Sequence, residues 1–211
     1  MNNELMLDVG QANEFKLACR REGVTNEDIK VICERKGFLT QVRQVMLGLA
    51  EIKPVEHTVD LGADPFLPAS WKVEEHQKGK VAKLERKGDG LYLEGKKIEF
   101  YLPKKQERGC IEDNDLRKEL AKMPVLNANV LDYLLKNTRL IPEEWKKDEK
   151  GNTPCIFFWG TIYRLSGGHL RVRDLYWHDG GWDWGCGWLD NDWLSRCPAA
   201  VSASPAVGGT S

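Results

Sequence analysis

Four side chains towards the carboxyl end of the chain have the types and spacing of a surface that stacks ligands. Trp182, Trp184, Cys186 and Trp188 recur at every second position, and residues two apart in a β-strand point to the same face. Three indoles on one face can stack a sugar, a nucleobase or a peptide aromatic ring. We favour burial of this face in the core, because exposed aromatic surface is unfavourable without a partner. The alternative is an aromatic platform made of Trp159, Trp177, Trp182, Trp184 and Trp188.

Thiol and imidazole groups could support a second kind of chemistry. Cys155, His178 and Cys186 fall on neighbouring predicted strands, where a Cys–His pair could act as a nucleophile. Adding Cys197 would give four potential zinc ligands, but the close ligand pairs typical of structural zinc are missing. We therefore expect a half-buried histidine and inert core thiols, with no catalytic residue, no metal and no cofactor. This pattern disfavours an enzymatic function.

Basic side chains are concentrated locally, although the net charge of the whole chain is only -1. The segment from Lys16 to Arg43 has seven basic and four acidic residues, and residues 72–108 have eleven basic and seven acidic ones. Basic side chains can contact phosphates, and Arg and Gln can read base edges. Charged side chains on an edge strand also prevent the edge from pairing with another chain. We favour this interpretation for residues 72–108. The nucleic-acid candidates are Arg20, Arg21, Lys36, Gln41, Arg43, Gln44, Lys96, Lys97, Lys104 and Lys105.

Three helices are predicted to carry the first basic segment. The first spans about 10–22, Thr25 caps the second, and Gly37 marks the turn before the third. This layout resembles a helix-turn-helix unit, but we favour simple packing, since three-helix units are common without nucleic acid. An apolar stripe on the third helix is expected to be buried against the other two: Val42, Val45, Met46 and Leu49.

The hydrophobic period changes from helical to alternating near Pro54, which predicts a domain boundary there. A helical pair is predicted at 116–123 and after Asn127, which can cap its second helix. Gly-rich turns separate three longer strands further on, and this favours an antiparallel meander. The predicted strands are 54–61, 71–75, 81–86, 91–94, 98–102, 155–164, 170–178 and 182–190.

These elements predict an α+β fold with an N-terminal three-helix unit and a Trp-rich C-terminal antiparallel β-meander. The predicted domains are a helix-turn-helix-like unit at 1–53 and an α+β domain at 54–197. Residues 198–211 contain only small, uncharged residues with Pro and Val, so we expect a disordered tail.

The 211 residues are 41% hydrophobic and 30% charged, which is typical of a soluble globular protein. No leader pattern or membrane-length apolar run occurs, so we expect a cytoplasmic protein without membrane contact and with reduced cysteines.

Several strings resemble an uncharacterised family of hypothetical proteins from candidate-phylum bacteria. They are VLNANVLDYLL (125–135), LIPEEWK (140–146), FFWGTIYR (157–164), LYW (175–177) and WDW (182–184). The similarity extends to DVGQANEFKLA (8–18) and TNEDIK (25–30). No fold, activity or site residue comes with this resemblance.

Taken together, the patterns favour a non-enzymatic binding or regulatory protein that uses its helical unit and its aromatic sheet as contact surfaces. The expected partner is a macromolecule, with a protein favoured over a nucleic acid. Two alternatives stay open. One is a nucleic-acid-binding regulator that uses the N-terminal helices and residues 72–108, and the other is a tryptophan platform for glycans or peptides.

Overall fold

The computed structural model describes residues 6–148 and 151–203 of the chain. The chain divides into two compact units, Met1–Val55 and Glu56–Ser211, which we call the N-terminal unit and the C-terminal unit. The predicted α+β class is confirmed, because the first unit is helical and the second is built on a mostly antiparallel sheet. None of the helices in the described chain is long and apolar enough to cross a membrane.

Local capping bonds define the helices of the N-terminal unit. Its helices are α1 (Val9–Arg21), α2 (Asn26–Glu34) and α3 (Phe38–Met46). Asp8 and Gln11 exchange side-chain and backbone hydrogen bonds at the start of α1, and Thr25 and Asp28 do the same at α2. Gly37 precedes α3 with a φ of 80°, in the left-handed region that favours glycine. The predicted cap of the second helix is confirmed.

The expected burial of the apolar stripe on α3 is wrong. Val42 is 37% exposed, Met46 80% and Leu49 75%, and only Val45 is half-buried. α3 packs against α2, which covers one side of a nine-residue helix, and Leu49 lies beyond the last residue of α3. No residue of the three helices is fully buried.

The strands of the C-terminal unit form one large sheet and one small ribbon. The strands are β1 (His57–Asp60), β2 (Trp71–His76), β3 (Val81–Lys87), β4 (Gly90–Leu93), β5 (Lys96–Tyr101), β6 (Cys110–Ile111), β7 (Ile156–Leu165), β8 (Leu170–His178), β9 (Gly181–Trp188), β10 (Trp193–Leu194) and β11 (Ala199–Ser202). Within the described residues the order of the large sheet is β1-β3-β4-β5-β11-β7-β8-β9, with β2 also paired to β7, and β6 pairs with β10. The predicted antiparallel meander, β7-β8-β9, is confirmed.

The β11 strand corrects the predicted tail at 198–211. It lies between β5 and β7, antiparallel to the former and parallel to the latter, and Ala200 at its centre is fully buried. Small side chains suit this crowded position, but a four-residue uncharged strand is too short to show a two-residue period. Residues 204–211 lie outside the described residues.

Helices cover the two faces of the large sheet. They are α4 (Lys104–Glu107), α5 (Asp113–Leu120) and α6 (Ala128–Lys136), and single 3₁₀ turns follow at Thr138–Leu140 and Glu143–Lys146. Ile156 and Phe158 pack in a core with α6, and Phe157 and Trp159 pack in a core with α5. Because neighbouring residues of a strand point to opposite faces, the α6 core and the α5 core lie on opposite sides of β7.

Candidate functional site

The indoles of β8 and β9 share one face of the sheet. Trp182 pairs with Trp177, and Trp184 pairs with Leu175, which belongs to the α6 core. Trp188 pairs with Arg171 further along the same face. Four of the five platform candidates therefore project from this surface, which we call the indole face.

Trp159, the fifth platform candidate, lies on the opposite side of the sheet. It is only 4% exposed, and its ring centre is 4.7 Å from that of Trp193 in the α5 core. The strand period explains this separation, because Trp159 follows Phe158, whose side chain points to α6. Trp159 is therefore part of a core and is not available to a ligand on the indole face.

Two arginines of β8 fill the indole face. The guanidinium carbon of Arg171 lies 3.7 Å from the ring centre of Trp188, and that of Arg173 lies 4.3 Å from the ring centre of Trp184. Lys146 Nζ is 3.8 Å from the ring centre of Trp177. These are favourable cation–π contacts. Much of the stacking capacity of the indoles is thus used within the protein.

A cleft of about 650 Å³ opens at the Trp184 end of the indole face. This volume is within the usual range for small-molecule sites. Its lining comes from the β1 end and the following loop, from α6 and from the sheet: Val59, Asp60, Ala63, Asp64, Phe66, Asn129, Asp132, Tyr133, Leu135, Lys136, Arg173 and Trp184.

One wall of the cleft is a polar stripe of α6. Asn129, Asp132, Tyr133 and Lys136 follow the spacing i, i+3, i+4, i+7, which puts them on one side of a helix. The opposite side of α6 carries apolar residues of the α6 core. The polar stripe has the same helical period as the apolar side, so the sequence carries a signal for both sides of α6.

The facing wall is a loop held in place by side-chain amides. Asn129 Nδ2 donates to the carbonyl oxygens of Asp60 and Ala63, both at 2.8 Å. Tyr163 Oη donates to the carbonyl oxygen of Phe66 at 3.1 Å. These bonds connect the loop to α6 and to β7, so the cleft is formed before any ligand arrives.

Arg173 forms the floor of the cleft. Its side chain is 1% exposed, and Nη1 lies 2.8 Å from Oδ1 of Asp132. Its guanidinium carbon also lies 5.1 Å from the ring centre of Phe66. Within the described chain neither Nε nor Nη1, both buried, makes a hydrogen bond of good geometry, so the contact of Nη1 with Asp132 is an ion pair by distance alone and Nε has no partner. A guanidinium has five N–H donors, and a buried donor left unpaired is costly, so this floor is suited to an incoming oxygen acceptor.

The cleft has a small excess of negative charge. Asp60, Asp64 and Asp132 face the two cations Lys136 and Arg173, which gives the lining a formal balance of one negative charge, and Lys78 Nζ, 3.7 Å from Asp64 Oδ1, offsets part of it. Net negative lining disfavours anionic ligands and is compatible with neutral or cationic ones.

The nucleic-acid candidates divide between the two units. Arg20, Arg21, Lys36, Gln41, Arg43 and Gln44 are exposed in the N-terminal unit, and Lys96, Lys97, Lys104 and Lys105 are exposed in the C-terminal unit. Lys105 Nζ lies 3.3 Å from Asp115 Oδ2. Within residues 72–108, Lys83 and Lys87 both form ion pairs with Glu85. Part of the basic excess is therefore neutralised locally.

The structure does not bring His178 and Cys186 together with Cys155 in one site. His178 is exposed and lies 3.1 Å from Asp179, while Cys186 lies on the indole face, where it accepts from Arg171. Burial raises the pKa of the Cys155 thiol to about 12, so the thiolate that a catalytic nucleophile needs is rarely formed near neutral pH. Over the described ranges, no group of three or more His, Cys, Asp or Glu side chains is placed to hold a metal ion.

Comparison with protein families, curated proteins and solved structures finds no match to this chain. The resemblance to the candidate-phylum family stays a prediction. The geometry of the cleft is therefore the main basis for assigning a function.

Proposed function

We propose that this protein is a non-enzymatic binding protein and that the cleft of its C-terminal unit takes a neutral, hydroxyl-rich ring, namely a saccharide. The observation that carries the proposal is Arg173, a buried cation on the cleft floor with an unpaired Nε donor. This deepens the glycan alternative derived from the tryptophans, but places the ligand beside Trp184 instead of across the whole indole face.

Sugar hydroxyls match the polar groups of the cleft because each hydroxyl both donates and accepts. One hydroxyl oxygen can accept from Arg173 Nε, while others donate to the carboxylates of Asp60 and Asp132. The rings of Phe66 and Trp184 offer apolar surface for the C–H face of a sugar. A phosphate or carboxylate would also satisfy Arg173, but the three lining carboxylates oppose it.

Tryptophan fluorescence and calorimetry with a panel of neutral, acidic and amino sugars test this proposal. Trp184 lines the cleft, so binding should change the fluorescence of the protein. We expect saturable binding of at least one neutral sugar. Absence of binding across the panel, or binding of acidic sugars alone, would contradict the proposal.

A charge-matched pair of variants locates the site. Asp60→Asn keeps the side-chain oxygen that accepts from Gly62 N but removes the negative charge of a cleft carboxylate. We expect the affinity for the sugar to fall roughly tenfold, which corresponds to the free energy of one charge-assisted hydrogen bond. Asp179→Asn removes the same charge at an exposed turn outside the cleft and should leave affinity unchanged. Equal effects of both variants would argue for a nonspecific charge effect.

The N-terminal unit supports a second candidate function, contact with nucleic acid through α3. The observation in its favour is the spacing of α2, a three-residue turn and α3, with Gln41, Arg43 and Gln44 exposed. Fluorescence anisotropy with mixed-sequence DNA and RNA at two salt concentrations tests it. We expect salt-sensitive binding that Arg43→Ala weakens. Binding that is absent, or insensitive to salt, would exclude this function.

A protein partner for the N-terminal unit and a cytoplasmic location stay predictions. The first rests on exposed apolar residues of this unit, among them Leu39, Met46 and Leu47.

A further inference from the structure

Two cysteines meet at the start of the parallel pair β7–β11. Phe157 is paired with Ala199, and Phe157 N donates to the carbonyl oxygen of Pro198 at 2.8 Å. Two residues earlier, Cys155 N donates to the carbonyl oxygen of Arg196 at 2.9 Å. The ladder thus continues in register, and Cys155 stands opposite Cys197.

This register brings the two side chains close together. Paired residues of neighbouring strands point to the same face, with Cα atoms about 4.8 Å apart. Cys155 and Cys197 accordingly both pack against the α5 core. Disulfides form across Cα separations of about 4.4–6.8 Å. The missing N–H of Pro198 removes one bond of the ladder here, which allows the small adjustment that S–S closure needs.

The surroundings of the pair favour a slow, controlled thiol chemistry. Both thiols are half-buried, and burial raises the pKa of each, that of Cys155 to about 12. Asp174 lies beside them, and burial raises the pKa of its carboxyl group to about 7. The charge of Asp174 and its hydrogen bond to Cys155 raise the pKa of this thiol further, so the thiolate forms rarely and the exchange is slow.

We propose that Cys155 and Cys197 form a reversible dithiol–disulfide site, oxidised by a small disulfide such as glutathione disulfide, which fastens β11 to β7. The site is independent of the cleft and of its ligand.

The exchange proceeds in two balanced steps. The Cys197 thiol gives its proton to water and its sulfur attacks the small disulfide, forming a mixed disulfide and releasing one glutathione thiolate, which takes up a proton. The Cys155 thiol then gives its proton to water and its sulfur attacks the Cys197 sulfur, the protein disulfide forms, and the second glutathione leaves as a thiolate that takes up a proton. The protein loses two electrons and two protons, and one glutathione disulfide becomes two glutathiones.

The position of β11 gives this bond a structural consequence. In the strand order, β11 is the link between β5 and β7, and so between the β1-β3-β4-β5 half and the β7-β8-β9 half of the sheet. A covalent bond from Cys197 to Cys155 would hold this link closed. We expect oxidation to slow hydrogen exchange of the β11 amides about tenfold or more, and a dithiol reductant to reverse it.

Peptide mapping after equilibration of the full chain with glutathione disulfide tests the site. The expected result is a peptide pair joined through Cys155 and Cys197 that disappears in Cys197→Ser. Cys186→Ser is the matched control, because Cys186 is also half-buried in the same sheet but stands opposite Arg173. This variant should keep the cross-link.

Two outcomes would overturn the proposal. One is that both thiols stay free for alkylation while exposed Cys33 and Cys110 become glutathionylated. The other is that the cross-link forms only in urea concentrations that unfold the protein. If Cys197→Ser does not fold, as circular dichroism would reveal, mapping and exchange of the wild-type protein decide the question.

Discussion

The two units of this protein are stabilised in different ways. The helices of the N-terminal unit have clear capping bonds, yet none of their residues is fully buried. The C-terminal unit has two cores whose central residues, such as Leu131 and Val172, are completely buried. Local signals thus suffice to start a helix, whereas a stable sheet depends on contacts between distant parts of the chain.

The chain provides separate optical probes for the two units. The first of its eight tryptophans is Trp71, so fluorescence reports on the C-terminal unit alone. Amide exchange of α2 and α3 reports on the N-terminal unit. The following changes test the contrast between the units, starting with the largest expected effect.

Leu131→Ala should destabilise the C-terminal unit strongly. Leu131 is fully buried on α6 in a core with the sheet, and a truncation of this kind costs about 2–5 kcal/mol. Urea unfolding followed by tryptophan fluorescence should show a clearly lower midpoint, with exchange of the α2 amides unchanged. A loss under 1 kcal/mol, on the order of a surface effect, would mean that the α6 core is loosely packed.

Asp174→Asn should remove a pH dependence of stability. Burial raises the folded pKa of Asp174 to about 7, whereas the unfolded value is about 3.9. Between these values the folded state keeps a proton that the unfolded state releases, so the free energy of unfolding falls as pH rises, by up to roughly 1.4 kcal/mol per pH unit. Above this window the contribution is constant.

Urea unfolding at several pH values measures this effect. The wild-type protein should lose stability between about pH 4 and 7, and the variant should be more stable than wild type above that range. Parallel pH profiles of the two proteins would show that Asp174 does not titrate in this window.

Thr25→Ala should weaken α2 and leave the C-terminal unit unchanged. Thr25 Oγ1 accepts from Asp28 N at 3.2 Å, and loss of such a cap costs about 1 kcal/mol. Faster amide exchange in α2 with an unchanged fluorescence midpoint is the expected result. A matching shift in fluorescence would show that the two units unfold together.

Met46→Ala should have the smallest effect. Its side chain is 80% exposed at the end of α3, and surface substitutions of this kind usually stay within about 0.5 kcal/mol. Exchange rates of the α3 amides measure the change. A large acceleration would restore the prediction that this stripe is buried.

Strong local signals predicted much of the fold. Capping residues located α2, and glycine-containing turns separated the strands of the meander, because both effects act within a few residues. The β11 strand could not be predicted in this way, since its four residues carry no period and gain their stability from β5 and β7.

The candidate site was predicted only in part. Trp182, Trp184 and Trp188 were placed on one face by the strand period, but the position of Trp177 beside them and their contacts with the arginines depend on the pairing of β8 with β9. Arg173 gave no signal in the sequence, since an arginine on an alternating strand normally points to solvent. Its burial follows from the neighbouring rings and Asp132, which come from distant segments.

The central place of β11 also sets the order of folding during synthesis. Residues 199–202 leave the ribosome after the other strands of the described sheet, so the two halves of the sheet can form first and must then hold a gap open between them. Until that gap is filled, the edges of β5 and β7 expose unpaired backbone groups to other nascent chains. The growing chain is therefore most prone to aggregation just before β11 emerges.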